Sequence, residues 1–254
     1  MKVAFICVNY NNSKYTLDYI SSLNKISIHE FKIIVVDNNS SEIDLVNLLK
    51  SKLNFKLIKS KTNLGYFKGL NLGLDSIENK DEYDYTVIGN NDLTFENNFL
   101  NKLESLELSD DILAIAPNII TLDGVHQNPH VLRKFSKLVK FFHHAYFSNY
   151  FIGQLIFKLS DFYKSKKRIR DRKGNNTSKE IFMGYGACYI LTPAFFTHYN
   201  CLDAPVFLMG EEAIFSNQIH KAKGKVYYFP ELKLTHKDHA SIGRMPSKTL
   251  YTIS

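Results

Sequence analysis

The sequence predicts an α/β fold, with a mostly parallel central sheet flanked by helices, and three observations support this prediction. Short apolar runs rich in β-branched residues alternate with segments that carry apolar stripes at helical spacing. The run at residues 32–36 is apolar at four successive positions, as in a strand covered on both faces. Polar residues directly follow several runs, as they do at the carboxyl edge of an open sheet, where ligands bind.

The first sixty residues predict three strands separated by two helices. The strands are expected at Lys2–Val8, Lys32–Val36 and Phe55–Ile58. Asn12 or Ser13 can cap the first helix, since both residue types favour that position. The polar residues that follow the first two strands, and that we expect at one edge of the sheet, are Asn9, Asn11 and Asp37.

Three glycines follow the third strand at intervals of four residues. We expect Gly65, Gly69 and Gly73 to share one helix face, where the absence of side chains lets a ligand or another backbone approach closely. A helix packed tightly on the sheet explains the same spacing. The pattern is not Gly-x-Gly-x-x-Gly and follows a weak strand, so a Rossmann dehydrogenase is disfavoured.

The stretch Tyr85–Asp92 combines a buried strand with an abrupt polar end. Val87 and Ile88 are apolar and β-branched, whereas Asn90, Asn91 and Asp92 follow at once. A turn explains these three residues, because Asn and Asp form local hydrogen bonds there. A site for a polar ligand or a metal explains them equally well, since they end a strand.

The alternation continues to residue 117 and resumes after residue 181. A helix is predicted over Glu96–Leu106, and strands over Ile112–Ala116 and Val226–Phe229, each ended by the proline that follows it. Two adjacent acids, Glu211 and Glu212, open a helix, whose dipole favours carboxylates at its first turn. A last short strand leads to the polar cluster that contains His236.

The net charge of +7 is unevenly distributed. Residues 133–179 hold thirteen Lys/Arg and two Asp/Glu, whereas the remainder holds 19 basic and 23 acidic residues. Residues 131–163 are also rich in Phe and Tyr, and amphipathic helices with basic flanks suit an anionic membrane surface. A helical insertion whose aromatic residues face the core is the alternative, and nucleic acid is disfavoured because no recognisable module frames the segment.

Cysteine content and hydropathy indicate a cytoplasmic protein. Three cysteines without metal-ligand spacing suggest a reducing compartment. No signal peptide precedes the first strand, and no uncharged apolar segment is long enough to span a bilayer. With the basic aromatic segment, this predicts a protein at the inner face of the cell membrane.

Seven short motifs, in this order, resemble those of family 2 glycosyltransferases with the Rossmann-like GT-A fold, especially rhamnosyltransferase-like bacterial members. They cover residues 2–124 and 181–241, and their joint occurrence is specific although each alone is weak. The motifs are Val8-Asn-Tyr-Asn11, Val35-Val-Asp-Asn-Asn-Ser40, Asn63-Leu-Gly65 with Asn71-x-Gly73, Asn90-Asn-Asp92, Gly184-Tyr-Gly-Ala187, Glu211-Glu212 and His236.

The resemblance implies one GT-A domain over residues 1–254, with three parts. Residues 1–124 would bind the nucleotide-sugar, residues 125–180 form a basic, aromatic helical insertion, and residues 181–254 hold the acceptor and the catalytic acids. The implied reaction moves a sugar from a UDP- or dTDP-sugar to an acceptor hydroxyl. A lipid-linked oligosaccharide of bacterial polysaccharide, O-antigen or capsule synthesis is the expected acceptor.

The resemblance also implies residue roles. Donor binding falls to Asn9, Asn11, Asp37, Asn63, Gly65, Asn91 and Asp92. Asp92 and His236 would hold Mn²⁺ or Mg²⁺ on the diphosphate, and imidazole favours Mn²⁺. Glu212 would be the base of an inverting single displacement, with Glu211 orienting the acceptor or Glu212 itself.

Two departures from the family pattern, and two rival functions, complete the interpretation. Asn90 stands where the family's metal motif has its first Asp, and Glu211-Glu212 replaces the commoner Glu-Asp pair. These departures keep open a catalytically silent scaffold subunit of a polysaccharide-assembly complex. A sugar-1-phosphate nucleotidyltransferase is disfavoured, because Asn9-Tyr-Asn-Asn12 is not a glycine- and lysine-rich phosphate loop.

Overall fold

The computed structural model describes residues 1–26, 30–134 and 174–237. Within these ranges nine strands form one sheet. The first-half elements are β1 (Lys2–Asn9), α1 (Ser13–Leu23), β2 (Glu30–Asp37), α2 (Glu42–Leu49), β3 (Lys56–Lys59), α3 (Tyr66–Asp75), β4 (Tyr85–Asn90), β5 (Leu93–Phe95), α4 (Phe99–Glu104) and β6 (Ile112–Thr121). Those of the second half are β7 (Lys179–Ile181), β8 (Cys188–Leu191), α5 (Pro193–His198), α6 (Glu211–Lys221) and β9 (Lys225–His236).

The strand order is β3-β2-β1-β4-β8-β6-β9-β5, and β7 pairs with β9. The first four strands of this order are parallel, as are β6 and β9. The antiparallel strands β8, β5 and β7 are short and join these parallel groups or extend them. The predicted α/β fold with its central sheet and flanking helices is therefore confirmed, with more antiparallel pairing than the sequence indicated.

Two hydrophobic cores cover the two faces of the sheet. Side chains alternate between faces along β1, so that Phe5 packs in one core and Ile6 in the other. Helix α1 covers the first core with Tyr19 and Leu23, and α3 covers the second with Leu70. Because both faces are buried, β1, β2 and β4 carry the continuous apolar runs that made them recognisable in the sequence.

The prediction that two strands end at Pro117 and Pro230 is wrong. Strand β6 continues to Thr121 and β9 to His236, so both run beyond their prolines. Pro117 pairs with Phe229, and the register then jumps to Asn118 opposite Lys233. A bulge at this point tolerates proline, because ladder hydrogen bonds are interrupted there. The longer strands carry His236 to the same edge as the ends of β1, β2 and β4.

The three glycines do not share one helix face as predicted. Gly69 and Gly73 lie in α3 and face the sheet, and a Cβ on Gly69 would lie 3.0 Å from Val8 Cγ2. Gly65 precedes the helix at φ +82°, and a Cβ there would collide with the carbonyl oxygen of Phe207. Gly65 therefore lets the loop before α6 approach the beginning of α3.

Most of the basic aromatic segment, residues 135–173, lies outside the described residues, so its helical and membrane-binding character stays a prediction. Among the residues that are described, no helix has the length and apolar character needed to cross a bilayer.

Candidate active site

The polar ends of four strands lie at one edge of the sheet. Asn9 at the end of β1 donates from Nδ2 to Asp37 Oδ1 at the end of β2, at 3.0 Å. Asn91, just after β4, donates to Thr16 Oγ1 at 2.7 Å, and Thr16 donates in turn to Asn9 Oδ1 at 2.8 Å. Asp92 lies beside His236 at the end of β9. The structure thus brings together residues that are far apart in the sequence.

Asn9 is the centre of a buried hydrogen-bond network. Its Nδ2 donates not only to Asp37 but also to Ser40 Oγ at 3.0 Å and to Asp44 Oδ2 at 2.8 Å. Burial alone raises the pKa of Asp44, but hydrogen bonds from Asn9 and from Ser13 outweigh this and lower it. The network joins the ends of β1 and β2 to the first turns of α1 and α2, so it holds the edge of the sheet in one shape.

A second group of amides shapes the loop before α3. The buried Asn38 donates to Asn63 Oδ1 at 2.8 Å and to the Gly65 carbonyl at 3.0 Å, and accepts from the Leu64 amide at 2.9 Å. Asn63 Oδ1 also accepts from the Gly65 amide at 3.0 Å. Asn11 lies outside this group, exposed and at φ 54°, and accepts from the Ser41 amide at 2.7 Å.

Asp92 and His236 form a buried pair in which two acceptor atoms face each other. His236 Nε2 lies 3.2 Å from Asp92 Oδ1, yet this oxygen accepts no hydrogen bond. On the other side of the ring, Nδ1 lies 2.8 Å from Gln127 Oε1. An amide oxygen can only accept, so Nδ1 carries the proton in the neutral ring and Nε2 presents a lone pair. The Nε2 lone pair also accepts a long hydrogen bond from Asn90 Nδ2, at 3.4 Å. An oxygen and a nitrogen lone pair this close suit a cation, and Gln127 orients the ring for it.

Glu211 is buried at the first position of α6. Its Oε1 has no hydrogen-bond partner, and the residue is 5% exposed. Burial raises the pKa of Glu211, and the neighbouring Glu212 raises it further, against hydrogen bonds from the backbone of Glu211 and Met209. A carboxyl group with an open acceptor site and a raised pKa is typical of functional sites.

Glu212 is half-buried and lies against Gly186 in the loop before β8. An ideal Cβ on Gly186 would lie 2.6 Å from Glu212 Oε1 and 2.8 Å from its Cδ. Tyr66 at the beginning of α3 donates from its hydroxyl to the Gly186 carbonyl at 3.2 Å. Loop 184–187 thus separates the acidic pair from the strands of the sheet.

The acidic pair and Asp92 lie near one phenol, that of Tyr66. Burial raises the pKa of Tyr66 well above its ordinary value, and Cys188, Glu211, Glu212 and Asp92 raise it further, so one phenol is close to all three acids. The backbone N–H of Asn90 donates to the Ala187 carbonyl at 2.8 Å. This bond joins loop 184–187 to the segment that carries Asp92. A ligand between these loops would contact both sets of residues.

A groove of about 450 Å³ opens at the opposite edge of the sheet, where Tyr85 begins β4 and Ile112 begins β6. It contains none of the residues described above. The polar carboxyl edge is the better candidate site, because its buried charged groups face one another and two of them lack hydrogen-bond partners.

The chain has the GT-A fold, as its likeness to solved glycosyltransferase structures shows. The domain of S. aureus TarS covers 91% of the chain at a TM-score of 0.52 and 17% identity, and the chain covers 60% of it. GalNAc-T7, solved with UDP, GalNAc and Mn²⁺, has a TM-score of 0.63 at 14% identity. The match covers 93% of this chain and 44% of that protein. At these identities the likeness shows the fold alone.

The chain belongs to Glycosyl transferase family 2, whose sequence pattern matches residues 4–160. An uncharacterized glycosyltransferase of Haemophilus influenzae is 35% identical over 81 residues, which are 31% of this chain and 25% of that protein. The mannosyltransferase PcManGT of Pyrobaculum calidifontis, solved with GDP-Man and Mn²⁺, has a TM-score of 0.56 at 11% identity, over 92% of this chain and 56% of its own. The chain spans well under two thirds of each of these relatives.

Several residues of the site have no signal in the sequence. Gln127 lies in a loop after β6 and Asp44 in the first turn of α2, and neither belongs to a strand end that attracts attention. Tyr66 directly follows the Asn63-Leu-Gly65 motif and Gly186 lies within another motif, but nothing in these motifs shows what their atoms contact. Their partners are distant in sequence, so the contacts become visible only in the folded chain.

Proposed function

We propose that this chain transfers a sugar from a UDP- or dTDP-sugar to an acceptor hydroxyl, with inversion by single displacement. The observation that supports this most is that Asp92, His236 and the pair Glu211-Glu212 lie around Tyr66 and loop 184–187. Asp92 and His236 offer acceptor atoms to a cation, and Glu212 offers a carboxylate for the incoming hydroxyl.

The donor-side residues would hold the nucleotide. Asp37 is buried and accepts hydrogen bonds from Asn9 and, at 3.3 Å, from the Ser40 amide. A carboxylate has about four acceptor positions, so Asp37 keeps capacity for an N–H of a pyrimidine base. Asn11, Asn63, Gly65 and Asn91 line the same edge and are proposed to contact the ribose and the diphosphate.

Asp92 and His236 fit a divalent cation. The unpartnered Oδ1 and the Nε2 lone pair supply an oxygen and a nitrogen, a set that suits Mn²⁺ better than Mg²⁺. The described residues contain no group of three or more His, Cys, Asp or Glu at metal-binding positions. Phosphate oxygens and water therefore complete the shell. When bound, the cation supplies positive charge at the leaving diphosphate.

Glu212 is proposed as the general base. As the acceptor oxygen bonds to the anomeric carbon and the bond to the diphosphate oxygen breaks, the acceptor proton passes to Glu212. Glu211 Oε1 is open to a hydroxyl of the acceptor and would orient it. Because attack occurs on the face opposite the diphosphate, the configuration inverts.

A lipid-linked saccharide at the inner face of the membrane is the proposed acceptor. The net charge of +11 over residues 133–179, together with their aromatic content, supports binding to an anionic membrane surface. Polysaccharide assembly is the corresponding role.

The test is calorimetry of UDP and dTDP binding with and without Mn²⁺, together with hydrolysis of UDP- and dTDP-sugars. We expect Mn²⁺ to tighten nucleotide binding in the wild type and to have no effect in Asp92→Asn, because the substitution removes the charged ligand. Asp75→Asn, at an exposed acid on α3, is the matched control and should behave as the wild type. Equal nucleotide affinity with and without Mn²⁺ would contradict the metal site, and absent hydrolysis with intact binding would favour the scaffold function.

A further inference from the structure

We propose that Gly186 is a positioning residue for Glu212, because its missing side chain leaves the space that the Glu212 carboxylate occupies. The inference rests on the proposed function, since it assumes that Glu212 takes the acceptor proton. It adds a structural requirement at a position whose role the motif does not explain.

The end of the Glu212 side chain occupies the space of a Cβ at residue 186. The distances from an ideal Cβ are 2.6 Å to Oε1, 2.8 Å to Cδ and 2.8 Å to Cγ. Non-bonded carbon atoms do not approach this closely, because their optimal separation is about 3.5–4.0 Å. A side chain at residue 186 would therefore prevent the Glu212 carboxylate from taking its observed position.

The backbone conformation does not explain the glycine at this position. In the described part of the chain, the glycines at positive φ are Gly65, Gly124, Gly174 and Gly210, and Gly186 is not among them. An L-residue can adopt the backbone conformation of Gly186 without strain from φ. The contact with Glu212 is the remaining reason for a residue without a side chain.

The loop around Gly186 is held in place, so a larger residue cannot be accommodated by moving it. The hydroxyl of Tyr66 donates to the Gly186 carbonyl at 3.2 Å, and the backbone N–H of Asn90 donates to the Ala187 carbonyl at 2.8 Å. Tyr189 donates to the Gly184 carbonyl at 2.6 Å. The side chain of Glu212 is flexible, so the Glu212 carboxylate is the group that would move.

The first experiment is the crystal structure of Gly186→Ala with measurements of Tm and of UDP binding in Mn²⁺. We expect the Glu212 carboxylate to leave its position, while Tm changes by less than about 3 °C and nucleotide binding is retained. Gly184→Ala is the matched control, because a Cβ there meets the Tyr189 ring at 2.7 Å and Ala116 at 3.0 Å. It should lower Tm and leave Glu212 in place. A Glu212 carboxylate that stays in position in Gly186→Ala would overturn the proposal.

The second experiment is a double-mutant cycle on hydrolysis of UDP-N-acetylglucosamine and dTDP-rhamnose. Gly186→Ala should lower kcat by ~10²-fold with KM little changed, since small misplacements of a reacting group have effects of that size. In a Glu212→Gln background the same substitution should lower the residual kcat less than about twofold, because the displaced group no longer takes a proton. Equal losses in both backgrounds would contradict the positioning role of Gly186.

The outcomes distinguish this proposal from the proposed function. If Glu212→Gln hydrolyses donor as fast as the wild type, Glu212 is not the base and the proposed mechanism fails. If Glu212→Gln is inactive while Gly186→Ala keeps full activity, the base is correct and only the role of Gly186 fails.

Discussion

The two sides of the candidate site differ in how their buried polar groups are satisfied. On the side proposed to bind the donor, Asn9, Asp37 and Asn38 are buried and each has hydrogen-bond partners within the protein. On the opposite side, Asp92 Oδ1 and Glu211 Oε1 are buried and accept no hydrogen bond. Buried polar groups are nearly always paired, so these two oxygens are the acceptors that we propose a ligand to occupy.

The difference shows that one site combines two tasks. The donor side is a hydrogen-bonded network that forms without a ligand, and a preorganised network loses little entropy on binding. The acid side keeps acceptor atoms open at the expense of folding stability, because desolvated carboxylates are unfavourable without partners. Substitutions on the donor side should therefore lower stability, whereas those on the acid side should slow the reaction or raise stability.

The largest effect is expected on the acid side, from Glu212→Gln. The amide cannot take a proton from the acceptor hydroxyl, so transfer or donor hydrolysis should slow by at least ~10²-fold. Binding of UDP in Mn²⁺ and the Tm should stay at wild-type values, since the shape of the side chain is kept. Single-turnover kinetics and calorimetry measure the two quantities. An unchanged rate would remove Glu212 from the reaction.

On the donor side, Asn9→Leu should destabilise the fold. It removes the donor shared by Asp37, Ser40 and Asp44 and the buried acceptor of Thr16, so the free energy of unfolding should fall by about 2–3 kcal/mol. Urea denaturation measures the change.

The matched control for Asn9→Leu is Asn79→Leu, which removes an exposed hydrogen bond to Glu82. It should change the free energy of unfolding by less than about 0.5 kcal/mol. Equal effects of the two substitutions would show that the Asn9 network does not stabilise the edge of the sheet.

The smallest effect, and one of opposite sign, is expected from Glu211→Gln. Since the folded pKa of Glu211 is raised above its ordinary value of 4.5, the folded state binds more protons than the unfolded state just above that pH. Stability therefore falls as pH rises from 4.5 through the folded pKa. The substitution should raise Tm at neutral pH by roughly 2–4 °C, corresponding to about 1 kcal/mol.

This gain from Glu211→Gln should vanish below pH 4.5, where the carboxyl group is protonated in both states. Scanning calorimetry at several pH values measures it. A gain that is independent of pH would show that burial of the charge is not the cause.

The strands of the first half were predictable, and the ends of two later strands were not. Apolar runs such as Ile33–Val36 are long, β-branched and bounded by polar residues, so local pattern is sufficient there. Pro117 and Pro230 suggested strand ends, because proline lacks the N–H that a strand uses for pairing. In the structure both prolines lie at a register shift between β6 and β9, where the strands can continue past them. Pairing between distant segments cannot be read from a local pattern.

The residue types of the site were predictable for a different reason. Asn9, Asp37, Asn91 and Asp92 follow apolar runs, and parallel strands bring their carboxyl ends to one edge, so their convergence follows from topology. Gln127 beside His236, and Gly186 beneath Glu212, depend on which loops meet above that edge. Contacts between loops are set by tertiary packing.

From residue order alone, the chain specified its layered α/β architecture, its family and the acids and amides that meet at the sheet edge, because period and polarity are local properties. Which oxygen lacks a partner, which imidazole nitrogen carries the proton and how far a glutamate reaches emerged from the folded coordinates. Those features depend on contacts between segments that are separated in the sequence, and only close packing sets their distances.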